Sequence, residues 1–249
     1  MTEWVTGEIV NRVDWTASLA SITVRASLAP YKAGQFVRLG LDIGGERQGR
    51  PFSFVNAPRG DLHEFYFIKV DGGVFSGTLH AKRPGDALWV DRQPNGFFTL
   101  DEVPPGEILW LFATGTALGP FLSILQTPEP WRRFRSIVLC HAVRHAVELT
   151  YSQQIRELQR RHASQLIFIP FTSREHVPSA MSGRIPAAIA NGQLEARAEL
   201  KLEAATAQTM ICGNPEMVMD TVEILKSRGL QKNLRRKPGQ ITVERYWDI

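Results

Sequence analysis

A chain of 249 residues is too long for one average domain and short for three, so its length points to two, and 43% apolar with 22% charged residues excludes a disordered or low-complexity protein. Its two cysteines, Cys140 and Cys212, stand seventy-two positions apart and build neither a disulfide framework nor an iron–sulfur cluster nor a structural zinc site. The net charge of +4 is unevenly shared, with 11 Lys/Arg against 12 Asp/Glu in residues 1–104 and 18 against 13 in residues 105–249; an anionic ligand or acidic partner suits the second half, though charge alone favours a solvated surface.

No apolar run approaches the roughly 18 residues of a spanning helix, and MTEWVTGEIVNRVDW at the start lacks the apolar stretch of a secretory signal. A cytoplasmic protein without membrane attachment is therefore expected. The compact basic run is Leu234-Arg235-Arg236-Lys237, and no helix-turn-helix, zinc-finger or RNP-type pattern surrounds it, so nucleic acid is not an expected partner.

The first hundred residues read as strands throughout. Residues 21–25, 35–41 and 64–70 alternate apolar and polar side chains, with Gly, Pro, Asn or Asp between them, the pattern of an antiparallel β-barrel or sandwich. Residues 50–56 (RPFSFVN) are expected at the start of a strand. The pattern turns helical over 74–80, with Ser76 as the expected N-cap, before Pro84-Gly85 leads into a strand at 87–90. Residues 101–106 (DEVPPG) are the linker candidate, dividing the chain into domains 1–101 and 106–249.

Beyond it the period changes. Continuous apolar runs at 108–113 and 136–143 and further strands at 166–171 and 208–212 alternate with helical patterns at 117–125, 147–161 and 216–228, and a last strand covers 240–247. Buried strands alternating with helices predict an α/β doubly wound parallel sheet, whose ligands bind outside the carboxyl ends of the strands.

Four strand ends carry chemistry. Gly115 and Gly119 at a strand-to-helix turn suit a backbone that must approach a phosphate, or a tight structural turn. Arg144 directly follows Val143. Ser173-Arg174 follows another strand, with Arg184 ten positions on. Each arginine singly reads as a solvated side chain, but three at strand ends of one sheet form a fork suited to the 2′-phosphate of NADPH. Cys212-Gly213-Asn214-Pro215 closes the series, either as a site cysteine or as a buried structural one. In the first domain, Arg50, Phe52 and Ser53 combine a cation for a pyrophosphate, a ring for stacking and a hydroxyl donor.

Arg50-Pro51-Phe52-Ser53, Gly115-Thr116 with Pro120, Cys212-Gly213 with Met217, and the aromatic pair Tyr246-Trp247 stand in the order of the bacterial ferredoxin–NADP⁺ reductases. The chain resembles that family over essentially its whole length, particularly the subgroup ending close to a Tyr-Trp pair. The resemblance implies an FAD-binding β-barrel followed by an NADP(H)-binding α/β domain, hydride transfer between NADPH and flavin, and single-electron exchange with ferredoxin or flavodoxin by a monomer. It assigns Arg50 to the pyrophosphate, Pro51 and Phe52 to the flavin, and Ser53 to flavin N5. Tyr66, Phe67 and Ile68 would contact the flavin, and Val74, Phe75 and Ser76 would offer backbone N–H groups to the pyrophosphate. Thr116 would lie beside flavin and nicotinamide. Val143, Arg144, Ser173, Arg174 and Arg184 would hold NADP, with Asn214 and Asp220 nearby. Cys212 and Glu244 would line the hydride-transfer site, Ser53 and Glu244 handling the N5 proton, and Tyr246 and Trp247 would pack near FAD. Phe52 stands where the family usually has Tyr, and Asp248-Ile249 extend past the aromatic pair.

A stand-alone NAD(P)H-dependent flavin or ferric reductase shares these features without a dedicated protein partner. A flavin-holding binding module is the non-enzyme alternative, against which Arg144, Arg174 and Arg184 argue. A hydrolase would need a nucleophile elbow, and Gly73-Val74-Phe75-Ser76-Gly77 has its serine one place late. His141 and His145 straddle a strand end with no third ligand in view, so no metal is expected.

Overall fold

The computed structural model describes residues 2–245, Arg245 by its backbone alone. Two compact units arise, Met1–Thr99 with Gly119–Gln126, and Leu100–Leu118 with Thr127–Ile249. The predicted pair of architectures, an antiparallel barrel and a parallel α/β sheet, is what forms. No helix among the described residues is long and apolar enough to cross a membrane.

The first unit holds β1 (Trp4–Asp14), β2 (Leu19–Arg25), β3 (Phe36–Ile43), β4 (Glu46–Ser53), β5 (Leu62–Ile68), α1 (Val74–Ala81) and β6 (Ala87–Asp91). The strands run antiparallel in the order β4-β3-β6-β1-β2-β5, and a Phe54–Phe65 bridge joins the two ends. The curled sheet encloses Ile22, Val24, Val37, Leu39, Phe54, Phe65 and Val90. Phe75 and Leu79, four apart on one face of α1, enter the same core. The β3–β4 hairpin turns on Gly44 and Gly45, both at positive φ (+61° and +82°), as a tight two-residue turn requires.

The second unit holds β7 (Ile108–Thr114), α3 (Glu129–Arg133), β8 (Ser136–Val143), α4 (Ser152–Arg161), β9 (Leu166–Thr172), β10 (Met181–Ser182), α5 (Ile185–Ala190), α6 (Gln193–Ala198), β11 (Ala207–Gly213), α7 (Pro215–Ser227) and β12 (Ile241–Arg245). Its six strands are all parallel, in the order β10-β9-β8-β7-β11-β12. Burial on both faces explains the apolar runs of β7 and β8, and it also buries all of β11. Between β7 and α3 lies α2 (Leu118–Leu125). Residues 119–126 pack within the first unit, where Ser123 donates to the Asn56 carbonyl (2.8 Å) and Gln126 to that of Val55 (2.8 Å).

Several local expectations change. Residues 50–53 lie at the end of a strand, not the start, because pairing with β3 begins at Glu46. The N-cap of α1 is Gly73, not Ser76, whose hydroxyl instead accepts from the Val70 N–H (3.0 Å) and donates to the Gly73 carbonyl (3.1 Å). Helix α4 starts at Ser152 rather than 147, since a 3₁₀ turn at Ala146–Glu148 and a left-handed Tyr151 (φ 54°) break the chain first. Helices α3, α5 and α6 span five or six residues each, too few for a visible period. The segment 101–106 is tethered at its start: Arg133 donates to the carbonyls of Leu100 and Val103, both at 2.5 Å. The expected strand 240–247 is described as Ile241–Arg245, and Tyr246 and Trp247 lie outside the described residues.

Candidate functional site

In the first unit, β4 presents Arg50 and Phe52 on one face, because residues two apart in a strand point the same way; Pro51 and Ser53 point the other way. Phe52 is half-buried, stacked on Phe75 (centroids 6.0 Å, 27°) and edge-on to Phe67 (6.4 Å). The exposed Arg50 lies 5.7 Å from the Phe75 ring, so β4 and α1 share an aromatic patch with a cation at its rim. Ser53 is buried. On β5, Phe67 turns into the core, whereas Tyr66 and Ile68 take the opposite face. Among the described residues, no acceptor meets the N–H groups of Val74, Phe75 or Ser76, the first turn of α1. Three unsatisfied donors beside a guanidinium suit an anion such as a pyrophosphate.

In the second unit, the rung Val143–Thr172–Ser182 crosses β8, β9 and β10 near their carboxyl ends. Arg144, Arg174 and Arg184 follow it by one, two and two residues, so adjacent parallel strands deliver all three to one edge of the sheet. All three are exposed, and none forms an ion pair with a described residue. Their backbones are held. The Glu148 carboxylate accepts from the N–H groups of Arg144 (2.8 Å) and His145 (3.0 Å), and Arg174 N–H donates to the Arg144 carbonyl (3.0 Å). Ser173 donates through both its N–H (3.1 Å) and its hydroxyl (3.2 Å) to the Val143 carbonyl, and Glu175 accepts from the Ala146 N–H. Glu148 and Glu175 are thus site-shaping residues absent from the sequence reading, for they belong to no local motif.

A second rung runs Pro170–His141–Ala113–Cys212–Glu244 across β9, β8, β7, β11 and β12. Register partners share a face, so His141, Cys212 and Glu244 project from the same side of the sheet. Cys212 is fully buried, and burial with the neighbouring Glu244 carboxylate pushes its thiol well up, so it stays protonated. Burial also raises the Glu244 carboxyl to about 7, and its Oε2 is shut off from solvent with no hydrogen-bond partner among the described residues. His141 is fully buried and lowered to about 4 by burial, with Nε2 3.0 Å from the Gly115 carbonyl oxygen. His145 is exposed and belongs to the cap of the following turn.

Gly115, at φ +54°, opens the turn that carries Thr116. Asn214 caps α7, its side chain accepting from the N–H groups of Glu216 (2.9 Å) and Met217 (3.3 Å), and Asp220 is exposed on that helix. The donor sets fit the two nucleotides that the sequence suggested: an aromatic patch with a cation and free N–H groups in one unit, and unpaired arginines at strand ends in the other.

Comparison with known proteins agrees. Residues 111–223 match the family model of the oxidoreductase NAD-binding domain. The flavodoxin/ferredoxin–NADP reductase of Escherichia coli (strain K12) is 46% identical over 248 residues, covering 99% of this chain and 100% of that protein. The ferredoxin–NADP reductase of Pseudomonas aeruginosa is 32% identical, with 98% of each chain covered. A crystal structure of a ferredoxin NADP⁺ reductase from Neisseria gonorrhoeae with bound FAD and NADP superposes with a TM-score of 0.93 at 32% identity, covering 99% of this chain and 100% of that one. Motif order, an antiparallel half-barrel, a parallel sheet with an arginine-lined edge and full-length similarity converge: the chain belongs to the flavodoxin/ferredoxin–NADP reductase family.

Proposed function

We propose that the chain is an FAD-containing oxidoreductase that passes hydride between NADPH and flavin and exchanges single electrons with ferredoxin or flavodoxin, acting as a monomer in the cytosol. Residues 1–101 form the flavin-holding domain, onto which 119–126 pack, and the rest of 106–249 the NADP(H) domain. When bound, nicotinamide and flavin supply the hydride chemistry and the change from two-electron to one-electron transfer. The chain binds, orients and excludes water.

Arg50 and the free N–H groups of Val74, Phe75 and Ser76 hold the pyrophosphate, while Pro51, Phe52, Tyr66, Ile68 and the backbone of Phe67 bound the flat ring. Phe52 retains the stacking surface of a tyrosine without its hydroxyl. Arg144, Arg174 and Arg184 hold NADP phosphates with Val143 and Ser173, and Asn214 contributes by fixing the start of α7 near Asp220. Glu244, poised to be neutral or charged near pH 7, is a proton holder of the second unit, Ser53 is a hydroxyl donor of the first, and Cys212 packs as a neutral thiol.

The acidic carrier docks on the basic turn at 234–237. Leu234 and Lys237 exchange backbone hydrogen bonds (3.0 and 2.9 Å), leaving Arg236, Lys237 and a 56%-exposed Leu234 outward. Charge reversal of Arg236 and Lys237 lowers ferredoxin reduction at low salt and leaves dye reduction intact; unchanged ferredoxin reduction refutes this docking site.

The observation that carries the reading is the unpaired arginine trio on adjacent strand ends. Visible spectra of the purified protein, followed anaerobically with NADPH and then NADH, test it. Flavin bands bleached far faster by NADPH support it, a colourless protein that takes up no FAD overturns it, and bleaching by NADH alone overturns the arginine assignments.

A further inference from the structure

We propose that His141 is a positioning residue: its Nε2–H holds the Gly115 carbonyl and thereby fixes the turn that presents Thr116 to the nicotinamide end of the dinucleotide. This rests on the reading of the site given above.

His141 is wholly buried inside a parallel sheet, where aliphatic side chains normally fill such positions. Its Nε2 lies 3.0 Å from the Gly115 carbonyl oxygen, which can only accept, so the ring carries its hydrogen on Nε2. Nδ1 is then an unprotonated acceptor, and it is buried with no partner among the described residues. An orphaned buried ring nitrogen is costly, and an imidazole kept under that cost serves through its other nitrogen.

The Gly115 carbonyl accepts twice. The Leu118 N–H reaches it as the turn passes into α2, and the imidazole reaches it from the neighbouring strand. Both lone pairs are engaged, so the carbonyl direction is set from two sides. The residue bearing it sits at φ +54°, where glycine has the most alternative conformations to lose. Ala113, the rung partner of His141 on β7, is small enough to leave the imidazole room to reach forward two residues along that strand. Of the other titratable groups, Glu148 acts on the imidazole through its charge, while Cys212 and Glu244 share its sheet face two and three strands away.

Two variants separate positioning from structural support. His141→Gln keeps a donor at the reach of Nε2, and His141→Met keeps the volume without one. In the FAD-loaded enzyme, His141→Met lowers the anaerobic flavin-reduction rate by NADPH at least tenfold with KM changed less than threefold, and His141→Gln returns to within threefold of the parent rate. Equal rates in parent and His141→Met, or equal losses in both variants, overturn the proposal alone. A parent protein that NADPH does not reduce overturns the reading of the site and this proposal together. A second readout needs no turnover. Nitrogen NMR of the imidazole in the unliganded protein shows one Nε2–H tautomer from pH 5.5 to 8.5, and a ring protonated on Nδ1 or titrating within that range overturns the proposal.

Discussion

Gly213 and Thr114 meet where β11 and β7 end: a Cβ at position 213 would lie 2.0 Å from the Thr114 hydroxyl, and the Asn214 N–H donates to that same hydroxyl at 2.8 Å. Gly213 also holds φ +140°, a region that side-chain-bearing residues rarely adopt. Clash and backbone strain together make Gly213→Ala costly, on the order of 3 kcal/mol. Adding Thr114→Ala recovers part of that loss, because it removes the hydroxyl but leaves the φ and the backbone N and Cβ of residue 114 at 3.0 and 3.1 Å. Urea denaturation of the single and double variants checks both effects.

Two buried groups on one rung pull stability in opposite directions with pH. His141 falls from 6.5 to about 4 on folding, so between these values the unfolded chain binds the extra proton and stability drops as pH falls. Glu244 rises from 4.5 to about 7, so the folded chain keeps a proton the unfolded chain has lost, and stability drops as pH rises. Each is worth on the order of 3 kcal/mol at its limit. Glu244→Gln removes the second effect, so the variant gains stability over the parent at pH 8 and matches it near pH 4.5. Denaturant midpoints across that range decide the matter.

In the function proposed above, the arginine trio governs the choice of nicotinamide cofactor. Arg174→Ala or Arg184→Ala removes a charged partner of a phosphate, worth about 1.5–3 kcal/mol, so KM for NADPH rises roughly 10- to 100-fold. The kcat/KM for NADH, which lacks that phosphate, stays within about twofold. A parallel loss with both cofactors argues for a structural role instead, and steady-state assays with a dye acceptor separate the outcomes.

Gly40 and Gly49 face one another across β3 and β4, and the Trp4 ring lies over both. A Cβ at position 49 would stand 2.8 Å from that ring and 2.9 Å from the Arg38 guanidinium. Gly49→Ala therefore costs about 1–3 kcal/mol. In a Trp4→Ala background the same change costs little, because the open space accepts a methyl group. A thermodynamic cycle from thermal melts measures the coupling.

The sequence by itself determined the kinds of element. Alternation at 21–25 and 35–41 and unbroken apolar runs at 108–113 and 136–143 report half-buried and fully buried strands, since burial acts on each residue through its own side chain. It also placed Arg144, Arg174 and Arg184 just beyond strands. Only the tertiary structure decided that those strands are neighbours, in the order β8, β9, β10, because strand order follows from backbone hydrogen bonds between segments 29 (β8–β9) and 10 (β9–β10) residues apart. The same holds for the face split of Arg50 and Ser53, for Gly73 displacing Ser76 as the cap of α1, and for Glu148 and Glu175 bracing the arginine edge. His141 is the sharpest case. Four residues from His145, it read as half of an incomplete metal pair, whereas sheet register turned it inward onto the Gly115 carbonyl. Register is set by packing across strands, and no local spacing carries that information.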